Sequence, residues 1–272
     1  MNSLILAYKN RTETMAVCMD RIRTELSISS EIPMTYAGRL DPMAEGLVIF
    51  LCGSMRFHKD KFMKLSKTYS IGFVPGIETD TYDILGLIQN VSNSESQYAV
   101  ADFKKNIQLF QPIETFNQSF PSFSSRKVFG KSLFQHALDN NEEIPEQSHD
   151  VTIFGYSNIK QQSINSDKLV QSITNDVKKV SGEFRQDEII KSWKKIQEKL
   201  PSKLNLYGID IECSSGFYVR QWVHDFGIFL GNNAVTFSII RGTIDVFTMS
   251  MLNGESYRVF DEHDPLIHKL TI

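Results

Sequence analysis

The chain has 272 residues, of which 41% are hydrophobic and 22% charged, and this composition excludes a disordered or fibrous protein. No apolar stretch approaches the roughly 20 residues that cross a bilayer, so we predict no membrane span. The net charge of −3 excludes a protein that is basic overall. Any nucleic-acid site must therefore be local, because phosphate contacts require lysine and arginine.

The first half of the chain carries predicted strands and helices in a mixed order. Apolar runs and alternation predict strands, and apolar residues at helical spacing predict helices. In chain order these are a strand at 3–7, a helix at 14–26, strands at 47–51 and 69–74, a turn-rich connection at 76–86, a strand at 87–91 and a helix at 98–109.

The second half begins with an irregular stretch, residues 112–150, which is rich in Ser, Phe, Asn and Pro and which we interpret as an excursion from the core. A helical region at 167–200, a strand at 206–213 and a helix at 218–230 follow. The last helix ends at Gly231, a typical C-terminal stop. Helices and strands that do not alternate regularly predict an α+β fold.

Cysteines and histidines give no sign of a metal or redox site. The three cysteines lie far apart without a CxxC pair, which favours a reducing, intracellular location, most simply the cytoplasm, with an organelle left open. The six histidines lack metal-ligand spacing. We therefore predict no metal, and a monomer is the default expectation.

Asp41 is the strongest candidate for a reactive side chain. It lies between Gly38 and Gly46 and precedes a buried-looking run, as a carboxylate at the edge of a pocket would. A nucleophilic carboxylate must stay ionised while held away from bulk water. Asp followed by Pro42 equally fits a helix N-cap with proline at the first helical position. The residues alone leave both interpretations open.

Two later segments strengthen the first interpretation. Lys67-Thr68-Tyr69 is followed from Gly76 by Ile-Glu-Thr-Asp-Thr-Tyr-Asp-Ile-Leu-Gly, and Cys213-Ser-Ser-Gly-Phe-Tyr-Val-Arg220 is followed by Asp-Phe-Gly227. Together with the Gly-Arg-Leu-Asp-Pro segment around Asp41, they resemble the motifs of the TruB family of pseudouridine synthases. Members of that family convert uridine to pseudouridine in the T loop of tRNA.

The resemblance extends over residues 4–245 and implies the pseudouridine synthase catalytic fold, α+β, with a mixed and largely antiparallel sheet, flanking helices and an inserted RNA-binding arm. It implies isomerisation of uridine 55 of tRNA without a cofactor. Asp41 would be the nucleophile, Tyr69 would stack on the base and assist proton transfer, and Arg220 would pair with Asp41 and keep it ionised. The substrate-binding residues would be Tyr36, Arg39, Lys67, Tyr218, Ile239, Lys127, Lys131 and Arg241.

Domain organisation also follows from the resemblance. We expect one catalytic domain at 1–250, with an RNA-gripping arm at 117–159 and a helical insertion at 160–203, and an extension at 251–272 without the RNA-binding PUA domain. The insertion offers either further RNA contacts or a solvated helical face. Its candidate cations are Lys178, Lys179, Arg185 and Lys191.

Two departures from the family pattern keep alternatives open. The opening motif is reduced to Lys9-Asn-Arg-Thr-Glu-Thr14, without its proline and glycine, and Tyr36 stands where a histidine is usual. A non-catalytic RNA-binding or tRNA-folding protein on the same scaffold is one alternative. The other is a pseudouridine synthase that acts on another RNA, since Gly-Arg-Leu-Asp also resembles families that modify ribosomal RNA.

Overall fold

The computed structural model describes residues 2–92, 100–139 and 145–271, and its helices and strands confirm the α+β class. The packing of the chain forms two compact units. The first unit comprises the described residues of Met1–Ser70, Lys179–Gly182 and Ile239–Ile272, and the second comprises those of Ile71–Lys178 and Glu183–Ser238. A single catalytic domain over residues 1–250 stays a prediction.

Strands and helices are numbered here along the described part of the chain. Strands β1 to β14 span Ser3–Lys9, Met34–Ala37, Ala44–Cys52, Lys67–Pro75, Ile77–Thr79, Ile88–Val91, Thr115–Ser119, Lys127–Val128, Lys131–Ser132, Ser148–Asn165, Lys203–Cys213, Ala234–Ile244, Phe247–Thr248 and Tyr257–Asp261. Helices α1 to α8 span Met15–Glu25, Lys59–Met63, Val100–Phe110, Leu133–Asp139, Ser166–Lys179, Gln186–Gln197, Val219–Phe229 and Pro265–Thr271.

The first unit is built on a mixed sheet in the order β14-β1-β3-β12. Strand β1 pairs antiparallel with both β14 and β3, whereas β12 pairs parallel with β3. Strands β1 and β3 are nearly continuous apolar runs because both of their faces are buried. Helix α1 begins where the Thr14 side chain accepts a hydrogen bond from the Val17 N–H at 3.2 Å, and it buries Met15, Cys18 and Ile22.

The second unit contains the sheet order β4-β11-β10-β7, in which β10 pairs antiparallel with both β11 and β7. Its core is aromatic: Phe103 lies 4.7 Å from Tyr207 and 5.6 Å from Phe226 between ring centroids, and Trp222 stacks on Phe226 at 5.3 Å. Helices α5 and α6 carry their own apolar face, which includes Ile189 and Trp193 as fully buried residues.

The predicted helices and strands are found in the structure, with several corrections. Strands β2, β10, β12 and β14 were not predicted. The insertion predicted as helical at 160–203 is helical only from Ser166, because residues 160–165 belong to strand β10. Helix α3 is described from Val100 onward, so residues 98 and 99 of its predicted span lie outside the described residues. The interpretation of residues 112–150 as an excursion from the core is wrong at both ends, because β7 and the start of β10 pair with each other in the sheet of the second unit. Within the described residues, no helix is both long and apolar enough to cross a membrane.

Candidate active site

Asp41 lies in the loop that joins β2 to β3 in the first unit. The two strands pair antiparallel, with Tyr36 opposite Phe50, and the intervening residues 38–43 form what we call the Asp41 loop. Gly38 begins the loop at a φ of +83°, a conformation that glycine adopts at no steric cost. The Asp41 carbonyl accepts the Ala44 N–H at 3.1 Å, so the half-buried Asp41 sits in a tight turn at the start of the buried strand β3.

Arg241 on β12 ties the two sides of this loop together. Its side chain is buried, its Nε donates to the Leu47 carbonyl at 2.6 Å and its Nη2 donates to the Gly38 carbonyl at 3.0 Å. Gly46 permits the close approach of β3 and β12, since a Cβ there would lie 2.4 Å from the Arg241 carbonyl oxygen. Arg241 therefore holds backbone of the loop and of β3 within the first unit, and its RNA contact stays a prediction.

Lys9 holds the far end of the Asp41 loop and was missed as a functional residue. It is 0% exposed, and its Nζ donates to the carbonyls of Ala44 at 2.6 Å, Pro42 at 3.2 Å and Asn10 at 3.1 Å. Burial lowers the pKa of Lys9 to about 8, and nearby acidic groups, Asp41 among them, partly oppose this. The signal in the sequence was a lysine at the end of an apolar strand.

The lowered pKa of Lys9 predicts how stability varies with pH. Between about 8 and the ordinary value of 10.5 the unfolded chain keeps a proton that the folded protein releases, so this group adds stability as pH rises through that window. We expect the free-energy difference between the parent and a Lys9→Met variant, measured by denaturant unfolding, to grow in favour of the parent over this range. If the unfolding free energies of the two proteins changed in parallel with pH, this environment for Lys9 would be contradicted.

The other predicted site residues of the first unit surround the Asp41 loop or its strands. Lys67 is buried on β4, where its Nζ donates to the Met63 carbonyl at 2.7 Å and to the Leu65 carbonyl. Its Cε lies 3.9 Å from the position of a Cβ on Gly38. Tyr69 is buried two residues further along β4. Three more residues complete this set: half-buried Tyr36, exposed Arg39, and buried Ile239, which pairs with Ala44.

In the second unit, residues 79–86 form a compact turn, which we call the acidic turn. Asp83 is its centre: its Oδ1 accepts the Thr81 hydroxyl at 2.8 Å and the Leu85 N–H at 2.9 Å. The Thr79 hydroxyl donates to the Asp83 carbonyl at 2.7 Å. Asp83 is only 6% exposed, so the turn presents a buried and fixed carboxylate.

Arg220 lies in the first turn of α7 and is 4% exposed. Its Nη1 donates to the Thr81 carbonyl at 2.6 Å, its Nη2 donates to the Phe123 carbonyl at 3.0 Å, and its Nε lies 3.7 Å from Asp83 Oδ2. The acidic turn therefore holds the guanidinium by charge and by backbone. Asp83 stands in the motif at residues 76–86 but received no predicted role of its own.

The predicted arm residues form an aromatic and basic surface in the second unit. Phe120 stacks on His149 with 4.2 Å between ring centroids, and Tyr218 meets Phe120 edge-on at 5.4 Å. The exposed Arg126 lies 5.1 Å above the Phe120 ring. Lys127 and Lys131 are exposed on the hairpin β8–β9, and Lys131 lies 3.5 Å from Asp139 in a surface ion pair of little energetic weight.

The structure thus gathers the predicted residues into two sets, each within one unit. The Asp41 loop, Lys67 and Arg241 belong together in the first unit. Arg220, the acidic turn and residues 120–127, which we call the Phe123 segment, belong together in the second. Among the described residues, no group of three or more His, Cys, Asp or Glu side chains could hold a metal ion.

The fold and these two sets define an α+β protein whose carboxylates lie beside buried cations, a kind of site that nucleophilic and acid–base enzymes use. The family model described as TruB family pseudouridylate synthase (N terminal domain) matches residues 28–183, more than half of the 272 residues. The chain belongs to the TruB family. The resemblance seen in its three sequence motifs is confirmed.

Two relatives and one solved structure each match most of this chain. The tRNA pseudouridine synthase B of Endomicrobium trichonymphae is 28% identical over 235 residues, which are 86% of this chain and 82% of that protein. That of Staphylococcus saprophyticus is 24% identical over 271 residues, or 99% and 75%. A solved Cbf5-Nop10-Gar1 complex contains a chain with 13% identity and a TM-score of 0.48 over 91% of this chain. This chain spans 50% of that one, about half its length.

Proposed function

We propose that this protein isomerises uridine 55 in the T loop of tRNA to pseudouridine, as a monomer and without a cofactor or metal. The observation that carries the proposal is membership of the TruB family, together with two relatives named tRNA pseudouridine synthase B that this chain covers over 82% and 75% of their length. The anchored backbone of the Asp41 loop supports it, because such a reaction needs a nucleophile that stays in place while the base moves.

Asp41 is the proposed nucleophile. Its carboxylate adds to the uracil ring or to ribose C1′, and the N1–C1′ bond breaks. The base then turns so that C5 bonds C1′, and Asp41 is released, either displaced from C1′ by C5 or eliminated from the uracil ring. C5 loses its hydrogen and N1 gains a proton. Tyr69 stacks on the base and assists that proton transfer. The two buried cations beside the loop, Lys9 and Arg241, support this role because they bond two carbonyls of the loop and two of the adjoining strand β3 and add positive charge nearby.

Arg220 is the proposed partner of Asp41, on the basis of the family motif in which it stands. A guanidinium stays charged at all relevant pH values and lowers the pKa of a carboxylate that it contacts. Its anchoring by Thr81, Phe123 and Asp83 supports a fixed position for that charge. A precisely held cation costs no rearrangement at the moment of reaction.

RNA binding is assigned to three exposed cations, Arg39, Lys127 and Lys131, and to four residues that are half-buried or buried. We propose that Tyr36 wedges into the T loop and helps displace the partner of the flipped base, that Arg39, Lys67, Tyr218 and Ile239 line the nucleotide pocket, and that Lys127 and Lys131 contact phosphates. The burial of Arg241 supports a role for it in holding the Asp41 loop instead.

Replacing Lys127 and Lys131 with alanine tests the phosphate contacts. We expect weaker tRNA binding and a plot of log K against log salt whose slope flattens by about 1 for each lysine that contacts phosphate. Fluorescence titration of labelled tRNA at several salt concentrations measures this slope. The matched control is Lys105→Ala, an exposed lysine on α3, which should leave the slope unchanged. An unaltered slope in the double variant would remove these lysines from the interface.

A second candidate function, a non-catalytic RNA-binding or tRNA-folding protein, is favoured by the reduced opening motif and by Tyr36. The two functions differ in tritium release from a tRNA transcript labelled at C5 of uridine, since only isomerisation expels that hydrogen. We expect one tritium released per tRNA, and none from a transcript with cytidine at position 55. Binding without release would support the second candidate, and release from ribosomal RNA alone would indicate a synthase for another RNA.

A further inference from the structure

Arg185, in the helical insertion, makes two contacts with segments of the candidate site in the second unit. Its Nη1 donates to Asp80 Oδ2 at 2.7 Å, and its guanidinium carbon lies 4.8 Å above the centre of the Phe123 ring. The side chains of Arg185 and Asp80 are 23% and 18% exposed, so the pair is largely removed from solvent. These contacts join the insertion to the acidic turn and to the Phe123 segment.

The same two segments hold Arg220. Thr81, next to Asp80, accepts Arg220 Nη1 at 2.6 Å, and the Phe123 carbonyl accepts Nη2 at 3.0 Å. The contacts therefore close a ring that runs from Arg220 through the acidic turn to Arg185 and returns through Phe123. The insertion supplies one corner of this ring, and the other three corners belong to segments that carry or hold the predicted site residues.

Two corners of the ring, Asp80 and Arg185, are held by further contacts. Asp80 uses its second oxygen, Oδ1, to accept the Leu87 N–H at 2.8 Å, which fixes the carboxylate across the acidic turn. Arg185 stands at the N-terminal cap of α6 with a φ of +58°, a conformation that residues other than glycine rarely adopt. Helix α6 is anchored by the fully buried Trp193, and its Ser192 hydroxyl oxygen accepts the Ile88 N–H at 3.5 Å.

We propose that Arg185 is a positioning residue for Arg220, which it holds through Asp80 and Phe123. The inference rests on the proposed function in assigning Arg220 to the reaction. The sequence left two interpretations of Arg185 open, an RNA contact and a solvated helical face. The inference replaces both, because the Arg185 guanidinium contacts a carboxylate and an aromatic ring within the second unit. The helical insertion thereby supports the site instead of extending the RNA surface.

The first test compares Arg185→Lys with the parent in single-turnover kinetics on tRNA. Lysine keeps the charge but lacks the planar fork that bonds Asp80 while lying on Phe123. We expect the rate constant to fall about tenfold to a hundredfold, with the tRNA KM and its salt dependence unchanged, as for a misplaced catalytic group. Asp80→Asn should reproduce the effect. Lys195→Ala, an exposed cation on the same helix, should not.

A higher KM for tRNA with a flatter salt dependence in Arg185→Lys would make Arg185 an RNA contact and overturn the inference. Rate constants equal to those of the parent would also overturn it. A second readout is independent of activity. In spectra of ¹⁵N-arginine-labelled protein, with the Arg220 signal identified by its loss in Arg220→Lys, we expect solvent exchange of the Arg220 Nε–H to quicken about tenfold in Arg185→Lys. Unchanged exchange would overturn the inference even in a parent that makes no pseudouridine, an outcome that would itself reject the proposed function.

Discussion

An Asp41→Asn variant should lose pseudouridine formation by a factor on the order of 10⁴ or more while binding tRNA about as tightly as the parent. Asparagine preserves the size of the side chain and the backbone turn in which the Asp41 carbonyl accepts the Ala44 N–H at 3.1 Å. It removes the negative charge and with it the nucleophile. Single-turnover kinetics with a tRNA transcript, together with a binding titration, separate these two effects.

Asp20→Asn is the matched control for this variant, since Asp20 is an exposed aspartate on α1 in the same unit. It should keep the rate constant of the parent. Retention of most of the activity by Asp41→Asn would show that the carboxylate is not the nucleophile. Loss of both activity and folding, detected by thermal unfolding, would instead assign Asp41 to the structure of its loop.

An Arg220→Lys variant should lower the rate constant by about 10²- to 10³-fold, the second largest effect that we expect. Lysine cannot reproduce three contacts that diverge from one planar group, namely those to Thr81, Phe123 and Asp83. Each lost hydrogen bond from a charged donor is worth about 1.5–3 kcal/mol, so stability should also fall measurably. Rate constants and unfolding free energies of the same preparation give both quantities.

A neutral Arg220→Met variant separates the charge of this residue from its shape. It removes a positive charge that we propose to lie against Asp41, whereas Arg220→Lys keeps one, so we expect its rate constant to fall further than that of Arg220→Lys. Arg258→Lys, an exposed arginine on β14, serves as the control and should keep the rate constant of the parent. Equal rate constants in Arg220→Met and Arg220→Lys would contradict a role for the charge beside Asp41.

Strand prediction succeeded where burial dictated the sequence. The apolar runs of β1 and β3 are visible because these strands are buried on both faces. Strand β10 was missed because its sequence is polar and its pairing with β11 shifts register between Ile153 and Gly155 and again between Ser157 and Lys160. Each shift breaks the period of two on which strand prediction depends.

The candidate site was predictable to the extent that its residues stand in motifs. Asp41, Tyr69 and Arg220 were proposed in this way, and their catalytic roles stay predictions. The supporting residues Lys9 and Asp83 were not assigned because their partners are distant in sequence: Lys9 bonds the Ala44 carbonyl across 35 positions, and Asp83 lies against Arg220, which bonds Thr81 across 139. No local pattern distinguishes a buried charged residue of this kind from a surface one.

The most direct test of the central claim is to incubate the purified parent and its Asp41→Asn variant with one unmodified tRNA transcript and to map pseudouridine at each nucleotide by chemical labelling. We predict pseudouridine at uridine 55 with the parent and none with the variant. The absence of pseudouridine from the parent reaction, with tRNA binding retained, would contradict the account, as would its formation by both proteins.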